Sequence, residues 1–283
     1  MKSMIKYRGG KTKEIPKFEK YIPNDFDTYY EPFFGGGAVF FHLQPKKAVI
    51  SDINEKLINF YLEMQQEYSA ARKELNYLQT LYEKNQKIYK ELKIRYPDKH
   101  IKNENEILYY KIRDIFNGKI KSDFMSSVIY FFINKTAYSG MIRYNASGEY
   151  NVPFGRYQNF NTNLITQEHS ELLKKANIFK GDYSIAFDMA TKNDFMFLDP
   201  PYDCIFNDYG NIEFKNGFGE KEHRRLAAAF KELKCKAMMI IGKTPLTEEL
   251  YDDYIKDEYF KSYAVNIRNR FKAEAKHIIV TNY

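Results

Sequence analysis

Hydrophobic and polar positions follow two patterns along this chain. Short apolar runs closed by proline, glycine or an acid read as strands. Longer stretches with apolar residues three and four apart read as helices. Thr28-Tyr29-Tyr30-Glu31-Pro32 is a strand ended by its proline, which has no N–H to donate to a ladder. Phe33-Phe34-Gly35-Gly36-Gly37 follows as a turn, and 38–43 resumes as a helix. A second strand at 47–50 runs into Ser51-Asp52-Ile53-Asn54. From 55 to about 92 the spacing is helical, with Leu57, Ile58, Tyr61, Leu62 and Met64 largely on one face. Helices are also predicted at 15–22, 106–117, 123–133, 167–175, 220–233 and 247–252. Strands are predicted at 177–180, 195–198, 237–241, 263–267 and 277–281.

Strand and helix alternate at both ends of the chain, while helices alone fill the middle. The pattern predicts an α/β protein with a mostly parallel, Rossmann-like sheet and helices on both faces. The last two strands lack a connecting helix and should pair antiparallel at an edge. The helical block reads as an insertion. The expected division is 1–55 plus 161–283 as one domain and 56–160 as the inserted one. Asn145-Ala146-Ser147-Gly148 lies between two aromatic, polar runs and predicts a hairpin or long loop near the end of the insertion.

Composition changes this picture in two ways. The formal charge of +7 admits a polyanionic partner, and 25 Tyr interleaved with Lys and Arg could stack on bases. The two cysteines, Cys204 and Cys235, form neither a metal-ligand spacing nor a disulfide framework, which points to a reducing compartment. The first residues are polar by Lys6, and no apolar run reaches the length of a membrane span. The expectation is a cytoplasmic protein. The lysines at 84, 87, 90 and 93 read as a solvated helix face.

Candidate chemistry falls in four places. Phe195-Met196-Phe197-Leu198 is a buried strand that stops at Asp199-Pro200-Pro201-Tyr202, a stiff corner with a carboxylate and a ring. The glycines of 35–37 let a ligand lie against backbone, and Asp52 follows at close to the interval that places an acid on a ribose. No Lys-Ser/Thr pair follows the glycines, so a phosphate-cradling loop is not indicated. Tyr7-Arg8-Gly9-Gly10-Lys11 is a basic aromatic loop, and 134–157 mixes Arg, Tyr and Asn in the way base and phosphate contacts use them.

Asp199-Pro200-Pro201-Tyr202 after an apolar strand resembles the catalytic motif of S-adenosylmethionine-dependent amino-group methyltransferases. Phe33 to Gly37 is similar to their cofactor loop. The order of cofactor loop, insertion and catalytic motif, with Tyr7 to Lys11 at the start, resembles the alpha-class, Dam-like DNA adenine methyltransferases, the D12 class. Ser51-Asp52-Ile53-Asn54, Asn151-Val152-Pro153-Phe154-Gly155-Arg156-Tyr157 and Thr281-Asn282-Tyr283 match as well, so the likeness spans nearly the whole chain. Two stretches depart from it. Gly242-Lys243 stands where the family often has Ser-Asn, and 61–123 matches no motif.

The resemblance implies a Rossmann-like methyltransferase sheet and an inserted helical target-recognition domain with a hairpin. The implied activity is methyl transfer from S-adenosylmethionine to N6 of an adenine flipped out of duplex DNA, leaving S-adenosylhomocysteine. Asp199, Pro200 and Tyr202 would be catalytic. Tyr7, Lys11, Glu31, Pro32, Phe33, Gly35, Gly37, Asp52, Ile53, Asp182, Tyr183 and Asp199 would surround the cofactor. Arg8, Lys135, Tyr138, Ser139, Met141, Arg143, Asn145, Pro153 and Arg156 would contact DNA. The segment 138–143 suggests GATC as the target, although Ser139 departs from the GATC-reading enzymes. No metal and no membrane are implied, and a monomer or weak dimer on DNA is expected. Two other readings stand beside this one. One is transfer to another planar amino group, such as cytosine N4, RNA adenine or a glutamine side chain, where Asn or Ser more often replaces the Asp. The other is a catalytically silent DNA-binding module.

Overall fold

The computed structural model describes residues 1–140, 143–202, 218–262 and 274–283 of the chain. Among these residues a short helix α1 (Ile15–Phe18) precedes β1 (Tyr29–Glu31), α2 (Ala38–Leu43) and β2 (Ala48–Asp52). Four helices follow: α3 (Glu55–Gln66), α4 (Tyr68–Arg95), α5 (Glu104–Phe116) and α6 (Ser126–Thr136). The chain then forms α7 (Gln167–Leu173), β3 (Ala176–Lys180), α8 (Tyr183–Met189), β4 (Phe195–Leu198), α9 (Glu220–Lys231), β5 (Lys236–Gly242) and α10 (Pro245–Tyr251). It ends in β6 (Ile255–Ser262) and β7 (Glu274–Thr281).

The strands form one sheet in the order β3-β2-β1-β4-β5-β7-β6. Strands β1 to β5 are parallel to one another, and β7 runs antiparallel to both β5 and β6. The order reverses at β1, which pairs β2 on one side and β4 on the other through Tyr29. Ligands in open sheets of this kind bind beyond the carboxyl ends of the strands at that switch point. Glu31 and Asp199 therefore leave neighbouring strands at the place where chemistry is expected.

Strand β4 is buried at every position, as a strand covered on both faces must be. Burying each of Phe195, Met196, Phe197 and Leu198 contributes roughly 1.5–3 kcal/mol, which fixes the corner that follows them. Met239, Ile241, Ile278 and Val280 continue one side of this core with Leu226 and Phe230 of α9.

The chain divides into two compact units. One comprises 1–9 and 55–174, and the other 10–54 and 175–283. The first is helical and carries, between α6 and α7, an irregular hairpin with antiparallel bridges Tyr144–Tyr150 and Ala137–Phe154. The second holds the whole sheet. No helix among the described residues is long and apolar enough to cross a membrane.

Three features differ from the sequence reading. The helical run from 55 breaks at Glu67, whose φ of −122° and ψ of 28° leave helical space between α3 and α4. Helix α8 was not expected, because seven residues are too few to display a period. The partner of β7 is β6 at Ile255–Ser262, ahead of the 263–267 segment, which lies outside the described residues, as do Met141 and Cys204. Strand β6 is an edge strand, and its Lys256-Asp257-Glu258 run masks the strand signal as edge charges do.

Candidate active site

In the sheet-bearing unit, the corner after β4 carries a compact polar group. Lys11 sits in a short 3-10 turn and is almost fully buried, at 2% exposure. Its ammonium Nζ donates to Asp199 Oδ1 at 2.5 Å and to the Tyr202 hydroxyl at 2.6 Å. A buried ammonium without an acid partner would be costly, so Lys11 and Asp199 are fixed together. Burial pushes the Asp199 carboxyl upward, and the Lys11 ammonium opposes that shift. The bond engages Asp199 Oδ1.

Beneath this pair lies a second carboxylate. Glu14 Oε2 accepts from the Tyr259 hydroxyl at 2.8 Å and lies 2.8 Å from His277 Nδ1. Its Oε1 is 2.7 Å from the Lys261 ammonium. Burial works to raise this carboxyl. The His277 hydrogen bond, the Lys11 charge and Lys261 outweigh it and hold the group down to about 2. The imidazole of His277 packs edge-on against Tyr202, with centroids 4.9 Å apart. Sequence reasoning missed Glu14 and His277. The available signal was a lone histidine opening the apolar run His277-Ile278-Ile279-Val280.

The glycine turn after β1 is closed by hydrogen bonds from Gly37 N to Phe34 O at 2.7 Å and from Phe34 N to Ser51 O at 3.0 Å. Gly37 has φ +63°, and a Cβ there would lie 2.5 Å from the Phe34 ring, so only glycine fits. Asp52 ends β2 and accepts from Gly35 N (2.9 Å, Oδ2) and Asn54 N (2.9 Å, Oδ1). One acid thus ties the first strand's turn to the second strand's end. Pro32 is buried, while Phe33 and Ile53 are half-buried. Phe33 packs against Tyr183 with centroids 5.3 Å apart.

Glu31 is buried beside this turn and accepts from the Tyr29 hydroxyl at 2.7 Å and from Phe40 N at 3.2 Å. Burial raises its carboxyl to about 8, with the Asp199 charge adding to the effect. The folded protein therefore holds this proton more tightly than the unfolded chain. The stability this gives is complete below 4.5 and is lost as pH rises through about 8. Glu31→Gln keeps an acceptor for Tyr29 and Phe40 and removes the titration. Its melting temperature, by differential scanning fluorimetry, should gain on the natural protein steadily from pH 4.5 to 8 and then level off. A pH-independent difference would contradict the assignment.

Asp182 caps α8 through Ser184 N at 3.0 Å and takes a fork from Arg225, at 3.1 and 2.7 Å. Burial raises this carboxyl, but the Arg225 hydrogen bond and the Ser184 donors bring it below its usual value. Arg225, which the sequence did not suggest, also lies 4.4 Å over the Tyr183 ring.

The helical unit carries the remaining candidates. Tyr7 is half-buried and Arg8 exposed. Lys135 is half-buried, and burial together with the Lys6 charge lowers it to about 8. Tyr138 and Ser139 lie exposed in a 3-10 turn where Ser139 has φ 57°. Tyr138 N donates to Pro153 O at 2.9 Å, and Gly155 N to Thr136 O at 2.7 Å. A Cβ on Gly155 would meet the Thr136 and Ala137 carbonyls at 2.9 Å, so glycine is required there. Arg143 is exposed, and its Nε donates to Asn151 Oδ1 at 2.9 Å. Asn145 spends its side-chain oxygen on Ser147 N and Glu149 N, which makes it the residue that shapes the hairpin turn. Arg156 is exposed and adopts φ 54°.

A parallel sheet reversed at its seventh strand, a glycine turn after β1, an acid after β2 and an Asp-Pro-Pro-Tyr corner after β4 define a Rossmann-like methyltransferase. The chain belongs to the D12 class N6 adenine-specific DNA methyltransferases, whose family model matches residues 7–267. It is 37% identical over 292 residues to the type II methyltransferase M.CviBI of Paramecium bursaria Chlorella virus NC1A, covering 100% of both chains. The type II methyltransferase M.MjaIII of Methanocaldococcus jannaschii is 33% identical over 249 residues, 82% of this chain and 80% of the relative. The retron Ec67 DNA adenine methylase of Escherichia coli is 27% identical over 259 residues, 90% and 82% of the two chains.

Proposed function

We propose that this chain methylates N6 of an adenine extruded from duplex DNA, with S-adenosylmethionine as the methyl donor. The supporting observation is the state of Asp199. Its Oδ1 is fixed by the Lys11 ammonium at the end of β4, and a carboxylate anchored there has a second oxygen able in kind to accept an amino N–H. The adenine amino nitrogen is a weak nucleophile because its lone pair is delocalised into the ring. Asp199 accepting one N–H and the Pro200 carbonyl accepting the other favour a more tetrahedral nitrogen and stabilise the positive charge that develops. The Tyr202 ring stacks on the base. A base within a duplex cannot reach such a corner, so it leaves the stack.

The residues present fit the donor. The Gly35 and Gly37 turn, with its missing Cβ atoms, offers backbone for a close approach. Asp52 stands where a ribose acceptor is expected. Asp182, braced by Arg225 and beside Tyr183, offers an acceptor for an adenine amino group. Tyr7, Pro32, Phe33 and Ile53 complete the proposed surroundings. Bound S-adenosylmethionine supplies a methyl group already activated on a positively charged sulfur. The chain's carboxylates complement that charge.

On the hairpin, Tyr138 and Ser139 would fill the gap left by the base, and Arg143 would read a guanine edge. Met141 would join Tyr138 and Ser139 in supporting the opened stack, and Arg8, Lys135, Pro153 and Arg156 would contact the DNA. Arg143→Ala should relax discrimination at one guanine position by ~10–100-fold in rate, the value of a bidentate pair. Equal loss on all sequences would mark Arg143 as a phosphate contact instead. Unmethylated genomic DNA treated with the purified protein and then sequenced for N6-methyladenine gives the target, for which GATC is the first candidate. The account expects methylated adenines in one short sequence. Methylcytosine, or no modified base, would overturn it.

A further inference from the structure

We propose that Glu14 and His277 are a positioning pair that fixes the Tyr202 ring for the target base. The inference rests on Tyr202 being the stacking ring. Neither Glu14 nor His277 is placed to touch substrate in this scheme, and both act through Tyr202 and Lys11.

His277 is fully buried in β7, where an imidazole without a partner would be costly. Its Nδ1 faces Glu14 Oε2 at 2.8 Å. Glu14 is ionised at neutral pH, so Nδ1 carries the proton and donates it. This bond sets the rotation of the imidazole. The ring then lies between two tyrosines, 4.9 Å from Tyr202 at 67° and 5.6 Å from Tyr259 at 66°. Tyr259 is itself held by its hydroxyl on the same Glu14 oxygen. Lys261 closes the other oxygen.

Among the described residues, two grips on the Tyr202 ring involve this pair, beside the Lys261 ammonium 5.9 Å over the ring. His277 packs against it edge-on, and the Lys11 ammonium takes its hydroxyl at 2.6 Å. Both grips trace to one turn, because Glu14 N donates to Lys11 O at 2.7 Å and caps the 3-10 segment that carries Lys11. A flat base stacked on Tyr202 can present its amino group to Asp199 only in one orientation of that ring. Small misplacements of a reacting group cost rate while leaving binding unaffected.

The test is single-turnover methyl transfer from tritiated S-adenosylmethionine to unmethylated plasmid DNA, with dissociation constants for both ligands and a melting curve for every variant. His277→Ala should slow the single-turnover step by ~10–100-fold and leave both dissociation constants within about threefold. His277→Phe, which restores a ring edge against Tyr202, should recover most of the rate. His277→Gln, which keeps a donor for Glu14 without the ring, should not. A wild-type rate in His277→Ala, or losses that follow melting temperature across the three variants, would overturn the proposal. If His277→Ala fails to fold, the contrast between the Phe and Gln variants decides. Tyr202→Ala separates the two layers of the argument. A wild-type rate in that variant defeats the stacking assignment itself. A slow Tyr202→Ala beside a fast His277→Ala defeats only the positioning pair.

Discussion

Asp199→Asn should lose about 10³-fold in the rate of methyl transfer and still bind duplex DNA. Removal of one preorganised electrostatic partner of a developing charge typically costs 10²- to 10³-fold. Here the lost partner is a full negative charge facing a nitrogen that becomes cationic, so the upper end applies. The asparagine keeps an oxygen for the Lys11 ammonium, which sits 2.5 Å from Asp199 and almost fully buried. Alanine would leave that ammonium without a partner and confound chemistry with folding. The check is quench-flow methyl transfer alongside a gel-shift titration. A loss below tenfold would mean that Asp199 is not the acceptor of the amino proton.

Asp52→Ala should weaken binding of S-adenosylhomocysteine about 100-fold, measured by titration calorimetry. The carboxylate at the end of β2 has two tasks. It accepts the Gly35 and Asn54 amides, which shapes the glycine turn, and it would accept the ribose hydroxyls. Charge-assisted hydrogen bonds contribute roughly 1.5–3 kcal/mol each, so loss of the ribose contact alone approaches two orders of magnitude. The released Gly35 N–H should also lower the melting temperature by a few degrees. Affinity within threefold of the natural protein would place the ribose elsewhere.

Much of this arrangement was legible in the sequence because local rules and the fold agree. Apolar 195–198 stops at two prolines and is β4, buried throughout. Gly37 marks a position where φ is positive and a Cβ would collide. Asp52 follows its strand and caps the turn of another. What stayed hidden is what the chain brings together across long separations. Glu14 and His277 lie 263 residues apart, and each reads alone as an ordinary charged or buried residue. Arg225 reads as one of several charges on an amphipathic helix, and only the fold shows it forked onto Asp182. Asn145 reads from the sequence as a DNA contact, and only the fold shows that its oxygen also serves the hairpin's own amides. Strand β6 carries charge on a sheet edge, so no apolar run announced it.

The central claim is that the corner after β4 methylates adenine at N6. Nucleoside mass spectrometry tests it most directly, on duplex DNA treated with S-adenosylmethionine bearing a deuterated methyl group. With the natural protein the label should appear in N6-methyladenine and in no other nucleoside, and with Asp199→Asn it should accumulate about 10³-fold more slowly. Label in N4-methylcytosine, or label that persists undiminished in the variant, would contradict the account.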